Sequence, residues 1–215
     1  METSSLCLCR ERTPPPPEKG ALVRRLKQMP PGAVLLLEDE TLLRLFPPLR
    51  ACWAWRGQQA VVPITGRNAK RVLFGTINPR TGHRVMLRRR RMRQEDFQAF
   101  LHLLRARYGK REIWLLLDEA PAHTAAKSLA VAASLAIELV WLPKQCSELN
   151  AMDHLWKELK RRLAANRQFR TIDEGAEHAE HWVLGLSPQQ ARRKAGILSK
   201  NYWLKDFSKN FCRPT

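Results

Sequence analysis

Short apolar runs, each cut off by charge, glycine or proline, alternate along this chain with longer stretches whose apolar positions recur at helical spacing. "AVLLL" after Gly32 ends in the acidic cluster Glu38-Asp39-Glu40, and "EIWLLL" ends in Asp118-Glu119. Runs of this kind suit strands buried on both faces. "RVLFGTI", "NPRTG" and "HRVML" read as strand, turn and strand, a hairpin. Phe97, Phe100, Leu101, Leu104 and Tyr108 follow a helical period that Gly109 closes. Beyond them the pattern predicts an Ala-rich helix over 122–135, a strand over "IELVWL" ended by Pro143, and an amphipathic helix over 151–165. One or two further helices follow over 172–198, interrupted near Gly185 to Pro188. The order strand, hairpin, helix, strand, helix, strand, helix describes a mixed α/β layered domain spanning residues 33–204. Residues 1–32, with "TPPPPEKG" and "MPPG" around a short basic helical segment at 21–28, read as a Pro-rich arm or linker, so ordered structure is expected from Ala33. Residues 205–215 form a tail without period.

The ends of the strands carry the chemistry. Asp39 and Asp118 each lie just beyond a run of three leucines, which puts both at the C-terminal ends of buried strands, where open α/β sheets build their sites. On neighbouring strands the two acids approach each other. Two carboxylates about 4 Å apart repel by roughly 4 kcal/mol at an effective dielectric near 20, so either one takes a proton or a cation lies between them. A hard divalent ion suits such oxygen donors. In the helix over 151–165, Met152, Leu155, Trp156, Leu159 and Leu163 trace an apolar stripe. Asp153, Lys157, Lys160 and Ala164 fall on a face about a quarter turn away. Asp153 therefore borders the core, and Lys157 and Lys160 extend from it as a basic track. A phosphate backbone on that track would lie over the acids, the arrangement a two-metal nuclease needs. Each acid alone is more often a turn former, a helix cap or a surface residue. Three of them in this α/β order, with residues 119–152 between the last two as room for one helix and one strand, point to a site.

Composition narrows the partner. Lys and Arg total 38 against 20 Asp and Glu, a net charge of +18 spread through segments that are 44% apolar overall and so expected to fold. Such a balance calls for a polyanion, and nucleic acid fits it best. No dominant basic amphipathic helix suits a membrane surface, no apolar run is long enough to span a bilayer, and the N-terminus lacks a signal core, so the expected location is the cytoplasm. "LRRRRMR", with Arg88, Arg89, Arg90 and Arg91, and "GRNAKR", with Arg67 and Lys70, are candidate phosphate contacts. Trp53 and Trp55 either stack on an unpaired base or cover a hydrophobic edge. The cysteines at 7, 9, 52, 146 and 212 are odd in number and scattered, which argues for reduced thiols. His178 and His181 lack partner cysteines and read as helix surface. Nucleotide hydrolysis, dinucleotide binding and serine hydrolysis have no motif here. "EDET" also lacks the D-x-D-x-T pattern of aspartate phosphatases.

"LLLDEAPAH", "LPKQCSELNAMDHLWKELK" and "LEDET…WAWRGQ" resemble the catalytic domain of the mariner-like transposases and their bacterial relatives, the insertion sequence six-thirty family, from about Ala33 to Leu204. The resemblance implies an RNase H-like mixed sheet flanked by helices, with extra C-terminal helices. It implies a DDE/DDD triad of Asp39, Asp118 and Asp153 holding two Mg²⁺ or Mn²⁺ ions, and the gap between the last two acids is a hallmark of the family. The implied activity is metal-dependent strand cleavage and strand transfer at transposon ends in a bacterial, nucleoid-associated setting. Its partners would be transposon-end and target DNA, a separately encoded helix-turn-helix protein and a second copy of the chain. By the same resemblance His123 approaches the scissile phosphate; read from the residues alone, it makes a hydrogen bond at a helix start. The sequence departs from the family pattern at Asp153, where many relatives have Glu, at Glu119, where Asn is common, and in "KQCSELNAMD", which lacks the usual prolines. Family members carry helix-turn-helix domains ahead of the catalytic domain, so this chain resembles the catalytic half of a split or frameshifted element. The alternatives are a non-catalytic remnant that binds DNA by charge, and another RNase H-like nuclease such as a junction resolvase.

Overall fold

The expected strands join one mixed sheet: β1 (Val34–Arg44), β2 (Lys70–Ile77), β3 (Arg84–Arg89), β4 (Ile113–Leu117) and β5 (Ile137–Trp141), in the order β3-β2-β1-β4-β5. A computed structural model describes residues 17–205 apart from 65, 145 and 167. The prolines before Pro17, Cys7, Cys9, Cys212 and the tail from residue 206 lie outside the described residues. β1 runs parallel to β4, with Leu37 opposite Leu116, and β4 runs parallel to β5. β1–β2 and β2–β3 are antiparallel. The "NPRTG" turn closes the β2–β3 hairpin: the Asn78 carboxamide oxygen accepts from the amides of Arg80 and Thr81, and Gly82 takes φ 74°.

One strand departs from expectation. β1 does not stop at the acidic cluster but continues to Arg44, because β2 keeps pairing with it past the end of β4. Asp39 therefore sits within a strand, just beyond the part of β1 that β4 covers.

Strand alternation sorts the leucines onto two faces. Val34 and Leu36 face α2 (Gln94–Tyr108), α3 (Pro121–Thr124) and α4 (Ala126–Ser134), packing with Phe97, Phe100, Leu101 and Leu104. Leu35 and Leu37 face the other layer, made by α1 (Pro17–Leu26), α5 (Ala151–Leu159), α6 (Ile172–Gly185) and α7 (Pro188–Lys194). The Ala-rich segment is two helices rather than one. Ala125 is extended (φ −59°, ψ 133°), and Ser128 Oγ donates to the carbonyl of Ala122 across the break. α5 continues as a π-helical turn at Lys160–Ala164, and α6 and α7 divide where the Gly185 to Pro188 interruption was expected.

The basic segment of the arm also differs from its linker reading. α1 begins at Pro17, and Leu22, Leu26 and Met29 are buried in the same core as α5. Arg25 pairs with Glu138 and lies over the Trp114 ring. Both ends of that ion pair are exposed, so apolar burial is what docks the helix. Among the described residues no helix is long and apolar enough to cross a membrane.

α5 lies against the sheet at Gly75. A Cβ there would stand 2.5 Å from Trp156 and 2.7 Å from the Met152 methyl, so both side chains occupy the space a side chain would need. Trp156 and Met152 are fully buried. We expect Gly75→Val to overpack this contact and lower stability by about 1–3 kcal/mol, read by denaturant unfolding. A variant as stable as the parent would show that α5 does not need the close approach.

Candidate active site

Register brings the first two acids together. Leu37 and Leu116 are paired in parallel, and two residues further along each chain stand Asp39 and Asp118. Asp39 shares the face of Leu35 and Leu37, toward α5, and its antiparallel partner is Gly75, so the residue opposite it has no side chain to intervene. The third acid is delivered by the start of α5. A single 3-10 turn at Ser147–Leu149 leads into Asn150, whose carboxamide works in two directions. Its oxygen accepts from the Met152 amide (3.0 Å), capping α5, and its nitrogen donates to the Glu38 carbonyl on β1 (2.6 Å). Asn150 is buried, so this amide joins the first turn of α5 to the strand that carries Asp39. Asp39, Asp118 and Asp153 consequently line one cavity of about 490 Å³, with Glu119, Pro143, Lys144 and Asn150.

The electrostatics follow from this convergence. Burial, then the charges of Glu40, Asp153 and Asp118, lift the Asp39 carboxyl from 3.8 to about 8. Asp118 is held below the usual carboxylate range, chiefly by its hydrogen bond with His123. Lys157 Nζ lies 2.7 Å from Asp153 Oδ2, and Lys144 pairs with Glu119 at 3.5 Å on the same rim. The donor set is carboxylate oxygen, and burial together with the neighbouring negative charge holds a proton on Asp39. Both features fit a hard divalent cation such as Mg²⁺ or Mn²⁺.

His123 takes the helix-start role and not the phosphate one. It is fully buried on α3, on the sheet face opposite Asp39, and does not line the cavity. Glu38 and Glu40, one position either side of Asp39, point to this same face by strand alternation. Burial disfavours a charged ring, but hydrogen bonds to Asp118 and Glu40, with the nearby acids, outweigh it and raise His123 to about 11. Both ring nitrogens then donate: Nδ1 to Asp118 Oδ1 (3.0 Å) and Nε2 to Glu40 Oε1 (2.6 Å). Burial pushes Glu38 well above the carboxylate range and so favours its neutral form. Glu38, Glu40 and His123 offer ligand-type atoms within 4.8 Å of one another, but the imidazolium already supplies the positive charge there. The cluster supports Asp118 from behind. Sequence reading missed Glu38 and Glu40, although their spacing of two on a strand that ends in an acid cluster was a usable signal.

The predicted basic residues do not form one surface. Lys157 stands beside Asp153, but Lys160 begins the π-helical turn and lines a separate recess with Leu43, Leu163 and Phe169, so the expected track is broken. Arg67 is exposed in the irregular segment between β1 and β2. Lys70, Arg90 and Arg91 line a recess near Glu40, whereas Arg88 and Arg89 contact acids on α6 and α2. Trp53 is wholly exposed and Trp55 nearly so, which leaves the edge-covering role without an edge.

Residues 34–174 match the family described as DDE superfamily endonuclease. Over 182 residues the chain is 25% identical to the insertion element IS630 uncharacterized 39 kDa protein of Shigella sonnei, covering 83% of this chain and 53% of that protein. The chain thus spans about half the length of the curated relative it matches. Among solved structures it is similar to the catalytic domain of Mos1 mariner transposase (TM-score 0.60, 16% identity, 92% of each chain). It is also similar to the Mos1 transposase in its paired-end complex with the left transposon end (TM-score 0.65, 17% identity, 91% of this chain and 60% of that one). At these identities the structural likeness concerns the fold, and it bears out the RNase H-like mixed sheet with flanking helices.

Two measurements test the site's physics. Between 3.8 and about 8 the folded chain keeps a proton on Asp39 that the unfolded chain has released, so this group's contribution to stability falls as pH rises through that window. Asp39→Asn should flatten that part of the Tm-versus-pH curve and raise Tm at pH 8 in EDTA, by about 2–4 °C for each kcal/mol relieved; an unchanged curve would remove the crowding argument. Asn150→Ala should cost about 1–3 kcal/mol in denaturant unfolding, because it uncaps α5 and leaves the Glu38 carbonyl without its donor. Asn150→Asp, which keeps the cap but sets a buried carboxylate oxygen against the Glu38 carbonyl, should cost at least as much, and equal stability of all three would exclude the bridge.

Proposed function

Since this chain belongs to the DDE superfamily of endonucleases, we propose that it is the catalytic domain of a transposase, performing metal-dependent strand cleavage and strand transfer at transposon ends. The observation that carries this reading is the meeting of Asp39, Asp118 and Asp153 on one cavity, from two strand ends and the first turn of a helix. These three would hold Mg²⁺ or Mn²⁺, two ions in the full arrangement. Such ions, when bound, activate an attacking oxygen and steady the leaving one. Mos1 transposase has been crystallised in paired-end complexes with Mn and with Mg, which is consistent with the same ions here.

The protein's own residues do the rest. His123 and Glu40 hold the Asp118 carboxylate in one orientation, so its position does not depend on the substrate. Asn150 does the same for the turn that carries Asp153. Lys157 is 63% exposed, which lets its ammonium exchange Asp153 for a DNA phosphate once that carboxylate is engaged. Duplex DNA, both transposon ends and target, is the substrate; a helix-turn-helix partner would supply end recognition and a second copy of the chain would pair the ends. Residues 33–204 make up the catalytic unit in this reading, with α1 packed onto it.

End-containing DNA incubated with the purified chain should be nicked in Mn²⁺ or Mg²⁺ and left intact in EDTA. Asp39→Ala, Asp118→Ala and Asp153→Ala should each lower the rate at least about a hundredfold, as expected when several kcal/mol of charge stabilisation is lost. Parent-like cleavage by any of the three would remove that residue from the triad. Parent-like cleavage by Asp39→Ala and Asp118→Ala together would end the assignment.

A further inference from the structure

The run "LRRRRMR" is divided by the strand that begins it. Arg88 and Arg89 are the end of β3, where alternation sends neighbours to opposite faces. Arg88 goes to α6, donating to the Asp173 carbonyl (3.2 Å) and lying 4.0 Å from Glu180. Arg89 goes to α2, 3.4 Å from Asp96. On β2, Arg71 makes a two-pronged pair with Asp173 (2.7 and 2.6 Å). These three guanidiniums tie helices to the sheet. Beyond the strand, Arg90, Arg91 and Arg93 are exposed, and with Lys70 at the start of β2 they rim a cavity of about 580 Å³. Its remaining lining is Glu40, Thr41, Leu42, Val72 and Met92. The single acid there, Glu40, is engaged by the His123 ring. Four cations thus surround an apolar floor with no opposing carboxylate to satisfy them among the lining residues.

We propose that this recess is a second DNA-contact site, in which Lys70, Arg90 and Arg91 bind consecutive phosphates of the substrate's sugar-phosphate backbone while sugars rest on Leu42, Val72 and Met92. The occupant is nucleic acid rather than an acidic peptide because four cations share the recess with apolar side chains that sugars can rest on, and the chain as a whole carries +18. The site rests on the reading that the chain acts on DNA, and it adds to that reading a grip on the α2 side of the sheet. Glu40 lines this recess and Asp39, its neighbour in β1, lines the cavity on the other face, so the strand that presents the reacting acid also forms one wall of the grip. A DNA backbone held there fixes the substrate relative to Asp39 without touching the three aspartates.

The experiment measures affinity for a transposon-end duplex by fluorescence anisotropy in EDTA, between about 50 and 200 mM salt, so that cleavage plays no part. Each lost phosphate contact should reduce the slope of log affinity against log salt by about 0.9. Lys70→Ala/Arg90→Ala/Arg91→Ala should therefore reduce it by about 2 to 3 with Tm unchanged. Arg88→Ala, which cuts a tie to α6, should lower Tm and leave the slope within about one unit of the parent's. A triple variant with the parental slope overturns the site, and so does one that loses affinity for a polyglutamate competitor as steeply as for DNA. In either case parent-like metal-dependent cleavage leaves the transposase reading standing; a parent chain that neither binds nor cuts the duplex overturns that reading itself.

Discussion

The contact between α5 and the sheet at Gly75 is the constraint on which the site depends. Asp153 lies on a helix and Asp39 on a strand, and they share a cavity only because Trp156 and Met152 can sit where a side chain at position 75 would be. The same position is the antiparallel partner of Asp39, so the space that admits α5 is also the space beside the first acid. Packing brings the elements close, and the Asn150 carboxamide then sets their relative height by holding the Glu38 carbonyl and the first turn of α5 at once. Core packing and a single buried polar bridge thus do for Asp153 what direct strand pairing does for Asp39 and Asp118.

Alternation along β1 separates two charge environments that are consecutive in sequence. Asp39 faces a cavity shared with two other aspartates, and its proton affinity rises first because it is buried and then because Glu40, Asp153 and Asp118 are near. Glu38 and Glu40 face the opposite side, where His123 enters as a cation and joins Glu40 to Asp118. Asp118 takes part in both environments: one of its oxygens accepts from the ring while the residue lines the cavity. A carboxylate with a buried, charged supporter can be held in orientation before any ion or substrate arrives.

The positive charge obeys the same geometry. Among the arginines of β2 and β3, Arg71, Arg88 and Arg89 meet acids on flanking helices, Arg84 donates to backbone carbonyls at the end of α6, and all four serve the fold. Arg90 and Arg91, past the strand end, are exposed along the recess and open to a polyanion. A net charge of +18 therefore says that a polyanion is wanted but not where it lies.

Much of this was legible in the order of residues. Apolar runs and helical periods located the five strands and the principal helices, and the leucine runs before Asp39 and Asp118 pointed to strand ends that parallel pairing then set side by side. Local pattern misled where a tertiary partner overruled it. β1 outlasts its acidic cluster because β2 continues to pair with it, α1 packs onto the core although it follows a run of prolines, and the Ala-rich segment breaks so that His123 sits on its own short turn. Likewise the sequence marked Lys157 and Lys160 as one track, but Lys157 pairs with Asp153 whereas Lys160 lines a recess with Leu43 and Phe169. By itself the chain determined which residue types were present, which stretches would be strand or helix, and that aspartates stood just beyond two strands and within a helix, because these depend on short-range periodicity and chemistry. Which side of the sheet each acid faces, which arginines are already neutralised, and that a missing side chain at Gly75 lets the third acid reach the first two were decided only by the tertiary structure, because they depend on neighbours far away along the chain.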